Sequence, residues 1–235
     1  MRKKFILPLL ALTFTLAANA SVNTLGQKSL DSFVTFFEEE NIFVTTENAH
    51  PKDIQTFLNE FRKFPNELHQ EMMRQGGKIH LIHGESVIDD PSWLQEHSNT
   101  FDGRAWKQVP GAGGFPYYGT PTRLVVNHLN NKTRHGSSNL FLHEHAHSLD
   151  STYSYHGISS SNTWKKLMRQ NPQVEGYLNT KCVNRYCTDN EPERFAELFS
   201  LYFHSEETRQ EMERVVPKIA DFFKNLNVRT IKNMR

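Results

Sequence analysis

Apolar residues in this chain recur mostly at three- and four-residue intervals, the spacing of amphipathic helices, and alternate only in short stretches. From Lys28 to Ile42, Leu30, Phe33, Val34, Phe36 and Phe37 form a near-helical stripe interrupted by the polar run Glu38-Glu39-Glu40. Pro51 suits a first helical turn and opens a second pattern through Ile54, Phe57, Leu58 and Phe61. A third runs from Pro65 through Leu68 and Met72 and stops at Gly76-Gly77. Lys78 to His83 alternates and predicts a strand, with His80 and His83 as structural members of it. Pro110 to Pro121 is dense in Gly, Pro and aromatic residues and reads as an irregular loop; Arg123 to His128 follows as a second short strand. The stretch from Phe115 to Val126 is either a surface loop with buried aromatics or an edge along which an extended peptide pairs. Beyond it, Ser137 or Ser138 caps a helix whose apolar face is Leu142, Ala146 and Leu149. Asp189 or Asn190 caps another, with Pro192 in its first turn and Phe195, Leu198, Phe199 and Tyr202 as its core stripe to about His204. Ser205 caps a helix through Met212, and Pro217 starts a last one through Phe223. The pattern predicts an α+β domain with a small sheet and a mostly helical C-terminal half.

The first twenty residues stand outside this pattern. Arg2, Lys3 and Lys4 precede an apolar stretch from Phe5 to Ala18, and Ala18-Asn19-Ala20 is a small-x-small cleavage site. They read as a signal peptide, with Ser21 as the mature N-terminus. No later apolar run approaches the ~20 residues that span a bilayer, so no membrane association is expected after cleavage. The expected product is exported, either extracellular or periplasmic. Over 235 residues, 27 Lys and Arg balance 26 Asp and Glu, which argues against a nucleic-acid partner. A 37% hydrophobic content with 17 Phe supports one packed domain, residues 21–235. Within it, residues 21–135 form a lobe carrying the sheet and residues 136–235 a helical lobe. Export also favours a disulfide between Cys182 and Cys187, which would close a short loop around Tyr186; free thiols are the other reading.

Candidate chemistry concentrates at His143-Glu144-His145-Ala146-His147. On a helix, His143 and His147 lie one turn apart on the same side, so both imidazoles reach one metal ion. Glu144 is placed to take the proton of a water held there, the logic of a zinc peptidase. Fifty residues on, Glu193 and Glu197 share one side of their helix, and two aligned carboxylates on a half-buried helix need a counter-charge. His145, about 100° around the helix from its neighbours, points away from the metal.

The stretch Gly136 to Asp150 resembles the active-site helix of the anthrax-lethal-factor-like metallopeptidases, and among them the small secreted Pro-Pro endopeptidases. Tyr186 to Phe199 resembles the second signature of that group, a Tyr seven positions before the third ligand and a Glu four after it. The resemblance implies a zincin-like fold with the small sheet over the active-site helix. It implies one catalytic Zn2+ held by His143, His147 and Glu193, with Glu144 as general base and Tyr186 as donor to the oxyanion. Glu197 would orient a ligand histidine, and Asp150 would play a supporting structural part. Pro192 stands where the Pro-Pro endopeptidases carry an acidic residue, and the cysteines flanking Tyr186 are a second departure. The expected function is a secreted, monomeric zinc endopeptidase acting on an extended peptide or protein, with proline-rich sites as candidates. The rivals are an inactive exported protein that binds metal or a host protein on a peptidase scaffold, and a cysteine hydrolase.

Overall fold

The computed structural model describes residues 42–44, 51–90, 105–129, 136–153, 156–182, 187–188 and 190–234. All belong to one compact unit, Phe37–Arg235. The signal peptide, the stripe from Lys28 up to Ile42 and the boundary at residue 135 lie outside the described residues. Ile42 itself begins a strand, β1 (Ile42–Val44), rather than ending a helix.

Three further strands complete the sheet: β2 (Ile79–Ile82), β3 (Gly111–Ala112) and β4 (Thr122–Val125). Their order is β1-β2-β4-β3. β1, β2 and β4 run parallel, with Ile79 opposite Thr122 and Leu81 opposite Leu124, and β3 runs antiparallel to β4. The expected edge from Phe115 to Val126 is therefore corrected. β4 lies inside the sheet between β2 and β3, and the short β3 forms the edge on that side, with β1 at the opposite edge. Val126–His128 leaves the sheet as a 3-10 turn, because Val126 and Leu129 are buried and the turn packs against the first helix. Burial there outweighs the β preference of a Leu-Val-Val run. Phe115 to Thr120 is a tight hairpin around a 3-10 turn, Pro116–Tyr118.

The helices α1 (Pro51–Phe61) and α2 (Asn66–Arg74) connect β1 to β2. At the centre is α3 (Leu140–Asp150), which touches β3, β4, α1 and α2. Its N-cap is Asn139, whose Oδ1 accepts from the Leu142 N–H at 2.9 Å, and not Ser137 or Ser138. The Ser137 hydroxyl is taken by the Asn139 N–H, so the capping position falls one residue later than the pattern predicts. Next come α4 (Asn162–Arg169) and α5 (Gln173–Asn179), then α6 (Glu191–His204), which is capped by Asn190 and packs along α3. A chain of three helices closes the domain: α7 (Glu206–Val215), α8 (Pro217–Lys224) and α9 (Val228–Lys232).

Two aromatic clusters flank the α3–α6 pair. Phe57, Phe61 and Phe64 bring α1 and its following turn onto Phe141 of α3. Trp164, Phe195 and Phe223 join α4, α6 and α8. Each fully buried ring of this kind contributes about 1.5–3 kcal/mol relative to exposure, so α3 and α6 are held from both sides. On the far face of the sheet, buried Asp90 accepts from Arg123 Nε and pairs with His80 Nδ1, each at 2.8 Å, which ties β4 and β2 to the turn after β2.

Candidate metal centre

Helical spacing and an interhelical crossing create the cluster. His143 and His147 project from one side of α3, and Glu193, in the first turn of α6, meets them. The His143 Nε2 to Glu193 Oε2 distance is 3.0 Å, His143 Nε2 to His147 Nε2 is 3.2 Å, and His147 Nε2 to Glu193 Oε2 is 3.4 Å. A tetrahedral zinc with ligands at about 2.0–2.1 Å requires its donor atoms to lie about 3.3 Å apart. The observed triangle meets that requirement, and two nitrogens with one carboxylate are a donor set suited to zinc.

Glu197, one turn after Glu193, is completely buried. Its Oε2 accepts from His143 Nδ1 at 3.1 Å and its Oε1 from the Ser138 N–H at 3.1 Å. A proton fixed on Nδ1 leaves Nε2 as the coordinating nitrogen. Electrostatics bind the cluster together. Burial opposes charge on His143, yet the hydrogen bonds it donates to Glu193 and Glu197 outweigh it and hold the imidazole pKa well above its ordinary value. Burial likewise pushes Glu193 up, but the charge and hydrogen bonds of His147 and His143 reverse this and hold it well below the usual carboxylate range. A divalent ion would take over the role these shared protons play.

The face of α3 below the sheet explains the glycines of the preceding loop. At 100° per residue, His145 and Ser148 form one stripe, Glu144 and His147 the next, and His143 lies beyond them. β4 covers the first stripe: Thr122 Oγ1 lies 2.5 Å from Ser148 Oγ and 3.3 Å from His145 Nδ1. β3 and the residue after it cover the second, so closely that a side chain at either glycine must displace a neighbour. A Cβ on Gly111 would come within 2.8 Å of Glu144 Cγ, and one on Gly113 within 2.3 Å of His147 Cβ. The open edge of β3 therefore borders the cluster, with Glu144 half-buried beneath it. Composition marked this stretch as irregular; the Gly-x-Gly spacing of Gly111 and Gly113 was the available sign of close backbone approach. We predict that Gly113→Ala lowers unfolding free energy by about 1–3 kcal/mol, because backbone and not a flexible side-chain end must move. Chemical denaturation of the two proteins measures it.

His145 turns away from the cluster, as its helical position predicts, into a layer the sequence did not reveal. Its Nε2 is hydrogen-bonded to His69 Nδ1 of α2 at 3.0 Å, and its ring stacks on Phe141. Burial lowers the His69 pKa to about 4, and burial together with the neighbouring His69 lowers that of His145 well below 6.5. Both are neutral at pH 7. The unfolded chain protonates His69 near pH 6.5 and the folded chain only near 4, so stability is lost as pH falls through that window. His69→Gln keeps a hydrogen-bonding group and removes the titration. The stability of the wild type relative to this variant should fall by about 3 kcal/mol between pH 7 and 4. Denaturant midpoints at successive pH values provide the test, since contributions from other groups cancel in the difference.

The remaining candidates occupy definite places. Asp150, at the end of α3, accepts from the Ser159 N–H and hydroxyl, each at 2.6 Å, and so fastens the segment after α3. Burial raises its pKa to about 6. Cys182 and Cys187 form a disulfide, with both sulfurs within 4.8 Å of a Glu197 carboxylate oxygen. Bonded to each other, they offer no thiolate to a metal or substrate. Tyr186 and Asp189 lie outside the described residues.

Residues 33–226 match the family model described as anthrax toxin lethal factor, N- and C-terminal domain. A Pro-Pro endopeptidase of Clostridioides difficile (strain 630) is 29% identical over 124 residues, which is 53% of this chain and 51% of that protein. The match thus spans about half the length of that relative. The structure of the Pro-Pro endopeptidase PPEP-2 from Paenibacillus alvei superposes with a TM-score of 0.63, covering 79% of this chain and 97% of that one at 18% identity. At that identity the likeness speaks for the fold, a helix-rich α+β domain with a small sheet.

Proposed function

This chain belongs to the anthrax toxin lethal factor family and lies close to its Pro-Pro endopeptidases, and on that footing we propose that it is a zinc-dependent endopeptidase of zincin-like fold. The observation that carries the reading is the triangle of His143, His147 and Glu193 donor atoms, 3.0–3.4 Å apart, beside Glu144 and under an open strand edge. Zinc bound there supplies Lewis acidity toward a carbonyl oxygen and makes water more acidic. The chain's own residues do the rest. Glu144 takes a proton from the attacking water and delivers it to the departing amine. Glu197 holds His143 in the tautomer and orientation that coordination needs. Tyr186, by the family resemblance, donates to the developing oxyanion. The edge of β3 aligns an extended peptide across the cluster by main-chain pairing.

The leader pattern of residues 1–20 supports an exported enzyme, and among the described residues no helix is long and apolar enough to cross a membrane. Proline-rich peptides are the first substrates to try, with Pro192 as the position where cleavage preference departs from that of the relatives. The Cys182–Cys187 disulfide removes the nucleophile a cysteine hydrolase requires. Screening a peptide library with and without zinc tests the proposal: products should form with zinc and vanish on chelation. One bound zinc with no product from any peptide would instead favour a binding protein on a peptidase scaffold.

A further inference from the structure

The Cys182–Cys187 disulfide stands at a junction on which the candidate centre depends. It joins the end of α5 to the segment leading into α6 and closes a ring around Val183, Asn184, Arg185 and Tyr186. Both sulfurs lie within 4.8 Å of a carboxylate oxygen of Glu197, the buried acid that accepts from His143 Nδ1 at 3.1 Å. Further along, Asn190 caps α6, its Oδ1 accepting from the N–H of Glu193 at 3.0 Å. One covalent link thus borders the support of His143, leads toward Glu193 and encloses Tyr186.

The two anchors are also secured by other contacts. The Cys182 N–H donates to the Leu178 carbonyl at 3.0 Å, and the neighbouring Lys181 pairs with Glu211 of α7 at 2.5 Å. On the other side Cys187 is fully buried, and the Thr188 carbonyl accepts from Arg194 Nη2 at 2.9 Å. Opening the disulfide therefore frees the enclosed segment without detaching its ends. A disulfide sulfur has no hydrogen to give, whereas each thiol carries an S–H that a buried carboxylate accepts. Two such donors beside Glu197 compete with His143 for its oxygens. The released segment also regains conformations that the closed ring excludes.

We propose that Cys182 and Cys187 are positioning residues whose redox state sets the activity of the centre. Linked, they leave Glu197 to His143 and hold Tyr186 in place; reduced, they draw Glu197 away and release Tyr186. The proposal rests on the endopeptidase reading and adds a control to it. A chain with an export leader is made in a reducing compartment and reaches an oxidising one afterwards. The enzyme is therefore weak where it is made and gains activity once the link forms. Formation is thiol–disulfide exchange with a small disulfide, RSSR, as oxidant. One cysteine thiolate attacks RSSR, forming a mixed disulfide and expelling RS⁻, which takes up the cysteine's proton. The second cysteine attacks the protein sulfur of that mixed disulfide, closing the Sγ–Sγ bond and expelling a second RSH. Two protein thiols are oxidised and RSSR is reduced. Cys182 is half-buried and Cys187 fully buried, so Cys182 is the sulfur that meets the exchange partner.

The test compares the oxidised full chain with the same chain reduced by a phosphine that is then removed without air. Reduction should weaken zinc binding about tenfold in competition with a chelating dye, the low end of the range for losing a residue that orients a ligand. It should lower kcat on a cleaved peptide by about 10–100-fold, less than deleting an oxyanion donor outright, and leave the circular dichroism unchanged. Cys182→Ser/Cys187→Ser should show the reduced values and ignore the reductant. Because the cysteines act through other residues, reduction should not change zinc affinity in Glu197→Gln or kcat in Tyr186→Phe. If neither state cleaves any peptide, the hydrolytic reading alone fails; zinc affinity and the visible spectrum of the cobalt-loaded chain then decide the redox control. Equal zinc affinities, an equal kcat, or shifts that persist in those two variants would overturn it. A second zinc bound only by the reduced chain would reassign the cysteines to a metal site. Loss of the whole fold on reduction would make the disulfide a brace for the domain, and either result also overturns the proposal.

Discussion

Glu144→Gln is expected to lower kcat on any cleaved peptide by about 10²–10⁴-fold, the usual weight of a positioned general base, while leaving one zinc per chain. Glu144 directly follows His143, the proposed ligand, and lies beneath Gly111 of the edge strand, near enough for its charge to act on both His143 and His147. Glutamine preserves shape and removes the proton acceptor. Because the triangle is formed by His143, His147 and Glu193, metal content should not follow activity downward. Turnover measured beside zinc content by elemental analysis separates the two. An unchanged kcat would remove Glu144 from the chemistry, and a parallel loss of zinc would move it into the metal shell.

The second large effect concerns the proposed third ligand. Glu193→Gln should weaken zinc binding by more than about 100-fold, beyond the 10–100-fold typical of a residue that only orients a ligand. Glu193 lies within reach of both Nε2 atoms, at 3.0 and 3.4 Å, and its charge lets both histidines carry or share positive charge. Glutamine keeps the oxygen and loses the charge. Glu197→Gln, at a carboxylate that meets the histidine pair at His143 Nδ1, should fall within the smaller range and rank second. Competition against a chelating dye gives both affinities. If the order is reversed, Glu197 is the ligand and Glu193 its support, despite the observed distances.

Much of the helical half was legible because its signals are local. A proline in the first turn, an Asn three residues before a free N–H and a stripe at i, i+3, i+4 and i+7 each act within a few residues. The boundaries of α1, α6 and α8 accordingly fall close to their expected places. The sheet was less legible. β1 is three residues long and β3 two, too short for alternation to register, and they exist because β2 and β4 offer partners. The same holds for the displacement of the edge from Phe115–Val126 to β3. Strand order is a property of pairing between distant segments, and no local pattern records it.

The site divides in the same way. That His143 and His147 face one direction follows from 3.6 residues per turn, and that Glu193 and Glu197 align follows from the same geometry one helix later. Whether those two helices meet, which carboxylate reaches Nε2 and which reaches Nδ1, and that two glycines admit a strand over Glu144 and His147 depend on how α3, α6 and the sheet pack. Helical periodicity is set by bonds four residues apart and is written into a short stretch of chain. The crossing of elements fifty residues apart is set by burial of Phe141, Phe195, Phe199 and their neighbours, a collective outcome that emerges only when the whole core closes.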